Sequence, residues 1–535
     1  MTFKLPTTEQ LLEAGEELGM DLTPAYAGDI RDYVRPFVDA YNLVGALPDH
    51  LPAVKYPRTP GYRPEGEENE WGAWYVKTTI RGAARGKLAG RTAAIKDAIS
   101  VAGVPMMNGA SILEGYVPEI DATVVTRLLD AGATILGKST CEYFSFAGGS
   151  LTSATATVTS PRNPGHTPGG SSTGSAALVA AAEVDIALGG DQAGSIRIPA
   201  SHSGVVGIKP TFGLVPYTGI MSIEATIDHT GPLTGDVATS ALALEVLAGD
   251  DGLDTRQRQV RTAPYREALE RGVKGLRIGI IEEGFGNADS EPGVDETVRA
   301  AAARLRALGA EVAEVSIPWH RFGVPIWAPI SLEGAYHVML ANCGGGKNIG
   351  GVHQPSLIKA MSSWRRRANE LPHTLTVAML LAHHADRSHH GTYYAKAQNL
   401  RRRLRADVDA ALGGRDLLLL PTTAMTTAPI PEADAPLAAF LDHCWRNITN
   451  TCQFNLTGHP AISVPCGLSD DKPVGLQLVA RHWDEASLYR AGHAFEQAGD
   501  WQALGANKGK GGKRRRSGAA RSAGSPPNHA EGKDA

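Results

Sequence analysis

DATVVTRLLDAGATILGKST, residues 121–140, and SAALVAAAEVDIALGGD, residues 175–191, share one pattern: each reads as a helix that runs into a short buried strand. The pattern recurs downstream. LRIGIIEEG (276–284) reads as a strand, and VDETVRAAAARLRALGAEVAEVSIP (294–318) as an amphipathic helix followed by a strand. RTAAIKDAISV (91–101) is a short strand-like stretch upstream. Residues 331–410 are mainly helical, and RDLLLLPTTA (415–424) gives another buried strand. AISVPCGL (461–468) and VGLQLVAR (474–481) read as a late pair of strands, and EASLYRAGHAFEQA (485–498) as a closing amphipathic helix. Alternating helices and strands predict an α/β fold, a large mixed twisted sheet between helical layers.

The flanks read differently. Residues 1–73 form a helical appendage and linker. Thr7 or Thr8 caps a first helix, with Glu9 in its first turn and Leu11, Leu12 and Leu18 on one face. A second helical pattern runs from Ala27 to about Leu43, and residues 46–75, rich in Pro and Gly, read as an irregular connection. The α/β domain is expected over 74–505. Residues 506–535 lack large apolar side chains, cannot offset their own ordering entropy and read as a disordered basic tail.

Composition narrows the function. The chain has 535 residues, a formal net charge of −4, 42% hydrophobic and 20% charged residues. Such a near-neutral balance argues against a nucleic-acid-binding body. The five cysteines form no CxxC or zinc-type spacing and read as free thiols. The N-terminus has no secretory h-region, and no apolar run reaches the roughly 18 residues of a membrane span. A cytoplasmic protein is expected.

The chemistry concentrates in TPGGSSTGSAALVAAAEVDIALGGDQAGSIRIPASHSGVVGIKPTFGLVP, residues 167–216. Two loops rich in Gly and Ser, 169–175 and 189–195, bracket an apolar segment. Glycine lets a substrate approach the main chain closely, and successive N–H groups in such loops gather into anion-binding nests. A phosphate-binding reading fails, because neither G-x-x-x-x-G-K-[ST] nor G-x-G-x-x-G occurs in this stretch. Gly170-Ser171-Ser172-Thr173-Gly174 matches G-x-S-x-G, which would make Ser172 a nucleophile, but HTPGG precedes it where that motif needs a strand.

A third reading uses both loops. Gly169-Gly170-Ser171-Ser172, then Asp191-Gln192-Ala193-Gly194-Ser195-Ile196-Arg197-Ile198-Pro199-Ala200, then Gly204-Val205-Val206-Gly207-Ile208-Lys209-Pro210-Thr211, resemble the amidase signature. Upstream, Ala94-Ile95-Lys96-Asp97 resembles that family's catalytic-lysine strand. The resemblance spans roughly 75–500 and is closest to bacterial amidases associated with nitrile hydratase, which also carry an extra helical N-terminal segment. It implies Ser195 as nucleophile, Ser171 as proton bridge following a cis peptide bond, and Lys96 as base. It also implies an oxyanion hole from the N–H groups of Gln192, Ala193, Gly194 and Ser195, and no metal or cofactor. The family pattern has glycine where Ala193 stands and, often, where Thr173 stands. Alanine disfavours positive φ, so the Ala193 loop must adopt a geometry that alanine tolerates.

Amide cleavage needs an activated nucleophile, a stabilised oxyanion and a protonated leaving nitrogen. Lys96 can act as base only if uncharged, so burial must lower its pKa from about 10.4. Taken alone, Lys96 reads more readily as a lysine paired with Asp97 at a strand end; beside both serine loops it reads as the base. Asp191 and Arg197 read as a buried pair that holds the loop. His202, His229 and His459 read as hydrogen-bonded structural histidines, Cys141 as a buried thiol, and HHADRSHH (383–390) as helix and loop surface. Specificity is expected from 106–116, 143–146 and parts of 320–455. The resemblance implies a small amide substrate and a homodimer formed with help from the appendage; composition and the short apolar runs imply no specific nucleic acid and no membrane. Hydrolysis of an aryl acylamide or a carbamate, and a role as an amidotransferase A-type subunit with partner chains, are the alternatives.

Overall fold

The computed structural model describes residues 2–345 and 350–506. Its strands are β1 (Trp74–Arg81), β2 (Thr92–Lys96), β3 (Thr134–Ser139), β4 (Ile186–Asp191), β5 (Val206–Lys209), β6 (His229–Thr234), β7 (Arg277–Ile281), β8 (Glu311–Val315), β9 (Leu417–Pro421), β10 (Ala461–Ser469), β11 (Lys472–Ala480) and β12 (Gly505–Ala506). They make one mixed sheet in the order β1-β3-β2-β4-β6-β5-β10-β11-β9-β7-β8, with β12 on β10. The expected α/β architecture is present. Strands β5 and β6 were not anticipated: β5 is four residues long, and β6 contains both Gly231 and Pro232.

Side chains alternate across a strand, so consecutive residues serve opposite layers. Ile95, Ile186 and Leu188 enter one core with the helices Thr123–Asp130 and Val237–Leu247. Ala94, Ala187 and Leu233 enter a second core with the helix Thr173–Ala180. At the other end of the sheet, Leu417 and Leu419 join the first core, whereas Leu418 and Leu420 pack with Val408 and Leu412 of the helix Thr392–Gly413. Both faces are covered, which explains why these strands read as near-continuous apolar runs.

Thr7 caps the first helix, Thr8–Glu17, in a capping box with Gln10. The expected second helix is two, Pro24–Tyr33 and Arg35–Ala46, joined at Val34. Pro36 explains the break, since its ring cannot follow a continuous helix and fits within the first turn of a new one. The basic tail lies outside the described residues beyond Ala506.

β2 runs parallel to both β3 and β4, so the three strands end at the same edge of the sheet. Crevices outside the carboxyl ends of parallel strands are where α/β sheets bind ligands. Lys96 ends β2, Asp191 ends β4, and both serine loops lead into helices beside them.

Candidate active site

Lys96 is sealed from solvent, and its Nζ donates to Ser171 Oγ at 2.8 Å. Burial lowers its pKa from the ordinary lysine value to about 8; Cys141, Asp191, Glu142 and Asp228 act in the opposite direction without cancelling it. Its sequence neighbour Asp97 is engaged elsewhere. It pairs with buried Lys138 at 3.0 Å and accepts from the Met107 N–H at 2.9 Å. Strand alternation accounts for this. Lys138 lies opposite Ile95 in the β2–β3 ladder, so it shares a face with Ile95 and Asp97 and not with Lys96.

The Gly170–Ser171 peptide is cis, as the resemblance implied. Ser172 leads into the helix Thr173–Ala180, and its hydroxyl donates to the Gly190 carbonyl at 3.2 Å. That contact ties the two serine loops together, and it gives Ser172 a bracing position. Gly174 is a matter of space. A Cβ there would lie 2.3 Å from the Ala73 carbonyl oxygen.

The turn 192–195 is held from outside by its carbonyls. Gln192 O accepts from Trp327 Nε1 at 3.1 Å, Ala193 O from the Thr451 hydroxyl, Gly194 O from Ile198 N–H at 2.7 Å, and Ser195 O from Ser172 N–H at 3.2 Å. In a trans peptide the C=O and N–H point opposite ways. Anchoring the first three carbonyls therefore turns the N–H groups of Ala193, Gly194 and Ser195 the other way. Gly194 has φ +138°, whereas Ala193 has no positive φ, so alanine at 193 is accommodated without backbone strain.

Beneath the turn, Arg197 and Asp191 form a fully buried pair. Asp191 Oδ1 accepts from Arg197 Nη2 at 2.9 Å, and Oδ2 from Arg197 Nε at 3.0 Å and from Ile196 N–H at 3.2 Å. Arg197 also donates to Gln477 Oε1, Asn455 Oδ1 and the Thr451 carbonyl. Burial pushes the Asp191 carboxyl up, but the Arg197 guanidinium outweighs it and holds the group below the usual carboxylate range.

Ser195 faces a cleft. Gln192 and Ala193 line it with Phe146, Ile198, Ile223, Trp327, Ser331, Trp445 and Ile448. The walls are largely apolar, with the loop polar groups converging on one side. Lining residues come from 143–146 and 320–455 as expected, but none comes from 106–116. There Met106, Met107 and Tyr116 pack into the main core.

The Amidase family model matches residues 66–489. This chain belongs to the amidase signature family. An enantioselective amidase of Rhodococcus rhodochrous is 45% identical over 441 residues, covering 81% of this chain and 84% of that protein. The A-type subunit of the glutamyl-tRNA(Gln) amidotransferase from Koribacter versatilis is 38% identical over 417 residues, covering 77% of this chain and 85% of the relative. The solved peptide amidase of Stenotrophomonas maltophilia superimposes with a TM-score of 0.62 at 28% identity, over 77% of this chain and 83% of that one. Family and relatives support amide C–N hydrolysis as the chemistry of this amidase-family chain.

Other groups near the family motifs are accounted for by packing. Burial pushes the Cys141 thiol up to about 12, which keeps it protonated and unreactive. All five cysteines are unpaired. His229 Nδ1 lies 2.7 Å from the Ile227 carbonyl, and burial lowers the His202 pKa to about 4. Residues 383–389 belong to the helix His373–His389, where His383 meets Tyr336. Sequence reasoning did not find Trp327, Thr451, Asn455, Gln477 or the Asp97–Lys138 pair. The first four reach the site from distant segments, and the Asp97–Lys138 pair depends on the β2–β3 register; no local spacing signals either.

Proposed function

We propose that the chain hydrolyses a small carboxamide bearing an apolar or aromatic acyl group, through an acyl-enzyme on Ser195. Neutral Lys96 accepts a proton from Ser171, which takes one from Ser195 as its Oγ attacks the carbonyl carbon. The N–H groups of Gln192, Ala193, Gly194 and Ser195 receive the oxyanion; one such donor contributes on the order of 3 kcal/mol. The proton returns along the same path to the leaving nitrogen, and ammonia or an amine departs. Water then repeats the attack and releases the carboxylate.

The observation that carries this reading is a buried lysine, lowered to about 8, in a 2.8 Å hydrogen bond with a serine hydroxyl and not with a carboxylate. A lysine in that state is a base near neutral pH. The apolar cleft beside Ser195 supports an aromatic or branched acyl group. Aryl acylamides and carbamates present a similar carbonyl and belong to the same reading.

The test is a panel of amides, anilides, carbamates and esters, with intact-mass detection of the adduct and peptide mapping. The expected result is an acyl group on Ser195 and release of ammonia or amine by the isolated chain. An adduct on Ser172, or no turnover of any amide, would count against it. A role within an amidotransferase is the second reading, supported by the relatives of that kind. It predicts ammonia release only with partner chains present.

A homodimer is part of the proposal. Tyr33, Phe37, Tyr41 and Val44 of the appendage are 58–76% exposed, a run of apolar surface large enough to invite a second copy. Gel filtration should give twice the chain mass, and deletion of residues 1–46 should give a monomer. The unpaired thiols support a reducing compartment, the cytoplasm, as the place of action.

A further inference from the structure

Away from the cleft, three segments bring Asp409, His459 and His482 together. Asp409 projects from the helix Thr392–Gly413, His459 lies in the turn between the helix Cys452–Thr457 and β10, and His482 follows β11. One ligand-type atom from each lies within 4.8 Å of the other two. His459 Nε2 is 3.0 Å, and His482 Nδ1 is 3.9 Å, from the same oxygen, Asp409 Oδ1. The two imidazole rings have centroids 4.1 Å apart.

The partners of the remaining ring nitrogens fix which atoms are free. His482 Nε2 lies 3.1 Å from the Thr457 carbonyl, which can only accept. Nε2 therefore carries the hydrogen, and in the neutral ring the Nδ1 lone pair is aimed toward Asp409. His459 Nδ1 lies 2.9 Å from Thr457 Oγ1, a hydroxyl that can donate or accept. His459 can thus hold its hydrogen on Nε2, bonded to Asp409, or on Nδ1, bonded to Thr457, with no change of heavy-atom positions. In the second state both imidazole lone pairs and a carboxylate oxygen converge. Thr457 orients both rings, as outer-shell carbonyls and hydroxyls do around metal-bound histidines. Arg405 Nε, 3.6 Å from Asp409 Oδ2, holds the other carboxylate oxygen and leaves Oδ1 to the centre.

We propose that Asp409, His459 and His482 form a binding site for one divalent transition-metal ion of the zinc class. Ligand atoms around a tetrahedral zinc lie about 3.3 Å apart, given bonds of roughly 2.0–2.1 Å. Two of the present spacings, 3.0 and 3.9 Å, bracket that value, and the third lies within 4.8 Å. Two imidazoles and one carboxylate suit zinc and not calcium or magnesium, which take oxygen ligands. His482 also borders an open cavity, leaving a fourth position for water. On binding, the ion takes the place of the hydrogen at His459 Nε2; the neutral ring carries its hydrogen on Nδ1 instead, bonded to Thr457 Oγ1, and no net proton is released. The ion would clamp three segments. The turn that carries His459 follows directly on the helix Cys452–Thr457, whose Asn455 holds Asp191 beneath the 192–195 turn.

The test is a titration of the chelator-stripped full chain with Zn²⁺ against a chromophoric competitor, with thermal melts in parallel. One ion per chain is expected, bound in the micromolar range or tighter, with a raised melting temperature. His482→Asn should weaken binding by about tenfold or more and abolish the melting shift. Asp409→Asn, at a half-exposed helix position, is the second variant and should act alike even if His482→Asn fails to fold. His389→Asn with His390→Asn, in the other histidine-rich segment, should change neither. Binding weaker than micromolar, or undiminished in the folded cluster variants, or lost in the 389/390 variant, would overturn the proposal.

Discussion

Lys96 and Lys138 stand on adjacent parallel strands, and both are fully buried, yet their surroundings give them different chemistry. Lys138 meets a carboxylate, Asp97, at 3.0 Å. Lys96 meets a hydroxyl, Ser171, at 2.8 Å. Burial alone therefore does not assign a role to a lysine; the partner does. A carboxylate at contact distance stabilises the ammonium, while a hydroxyl leaves the desolvation cost uncompensated and favours the free amine. The parity of the strands separates the two cases, since Lys96 and Asp97, adjacent in sequence, point to opposite faces.

The comparison can be broken in three ways. The largest effect belongs to the nucleophile that Lys96 is proposed to serve. Ser195→Ala should lower kcat by about 10⁴-fold or more, measured by ammonia release, with an unchanged fold. Next, Lys96→Met should cost about 10²–10⁴ in kcat, while Lys138→Met should retain activity per folded molecule. Equal losses in both variants would erase the distinction between the two lysines.

The third way is stability, read by denaturant unfolding, and the two lysines should move it in opposite directions. Lys138→Met strands the Asp97 carboxylate and should destabilise by about 3–5 kcal/mol; Lys138→Met with Asp97→Asn should recover much of this. For Lys96 the folded pKa is about 8, below the ordinary lysine value expected on unfolding. The unfolded state then binds more protons between those two values, so stability rises with pH through that window. Below pH 8 the penalty is fully present. Lys96→Met removes it and should stabilise the fold at pH 7 by on the order of 1–3 kcal/mol, less whatever the lost Ser171 contact contributed.

Much of this was legible in the sequence because it is written locally. The helix-then-strand units at 121–140 and 175–191 announced the sheet, and the motifs named Lys96 and Ser171, which meet at 2.8 Å beside the carboxyl end of β2. What was not legible depends on register and on distant segments. Asp97 could be separated from Lys96 only once β2 was aligned with β3. Trp327 and Thr451, which anchor the turn before Ser195, come from helical stretches with no local signature. The same applies to Asp409, His459 and His482, which share no spacing and converge only through the ends of β10 and β11. Pro36 was visible in the sequence, and its consequence, two appendage helices in place of one, follows from its missing N–H.

The most direct test is the pH dependence of kcat/KM for the wild type and for Lys96→Ala on one amide substrate. The wild type should rise along a single limb centred near pH 8, as Lys96 loses its proton, and the residual activity of Lys96→Ala should lack that limb. A limb at the same pH that persists in Lys96→Ala would contradict the assignment of this amine as the base.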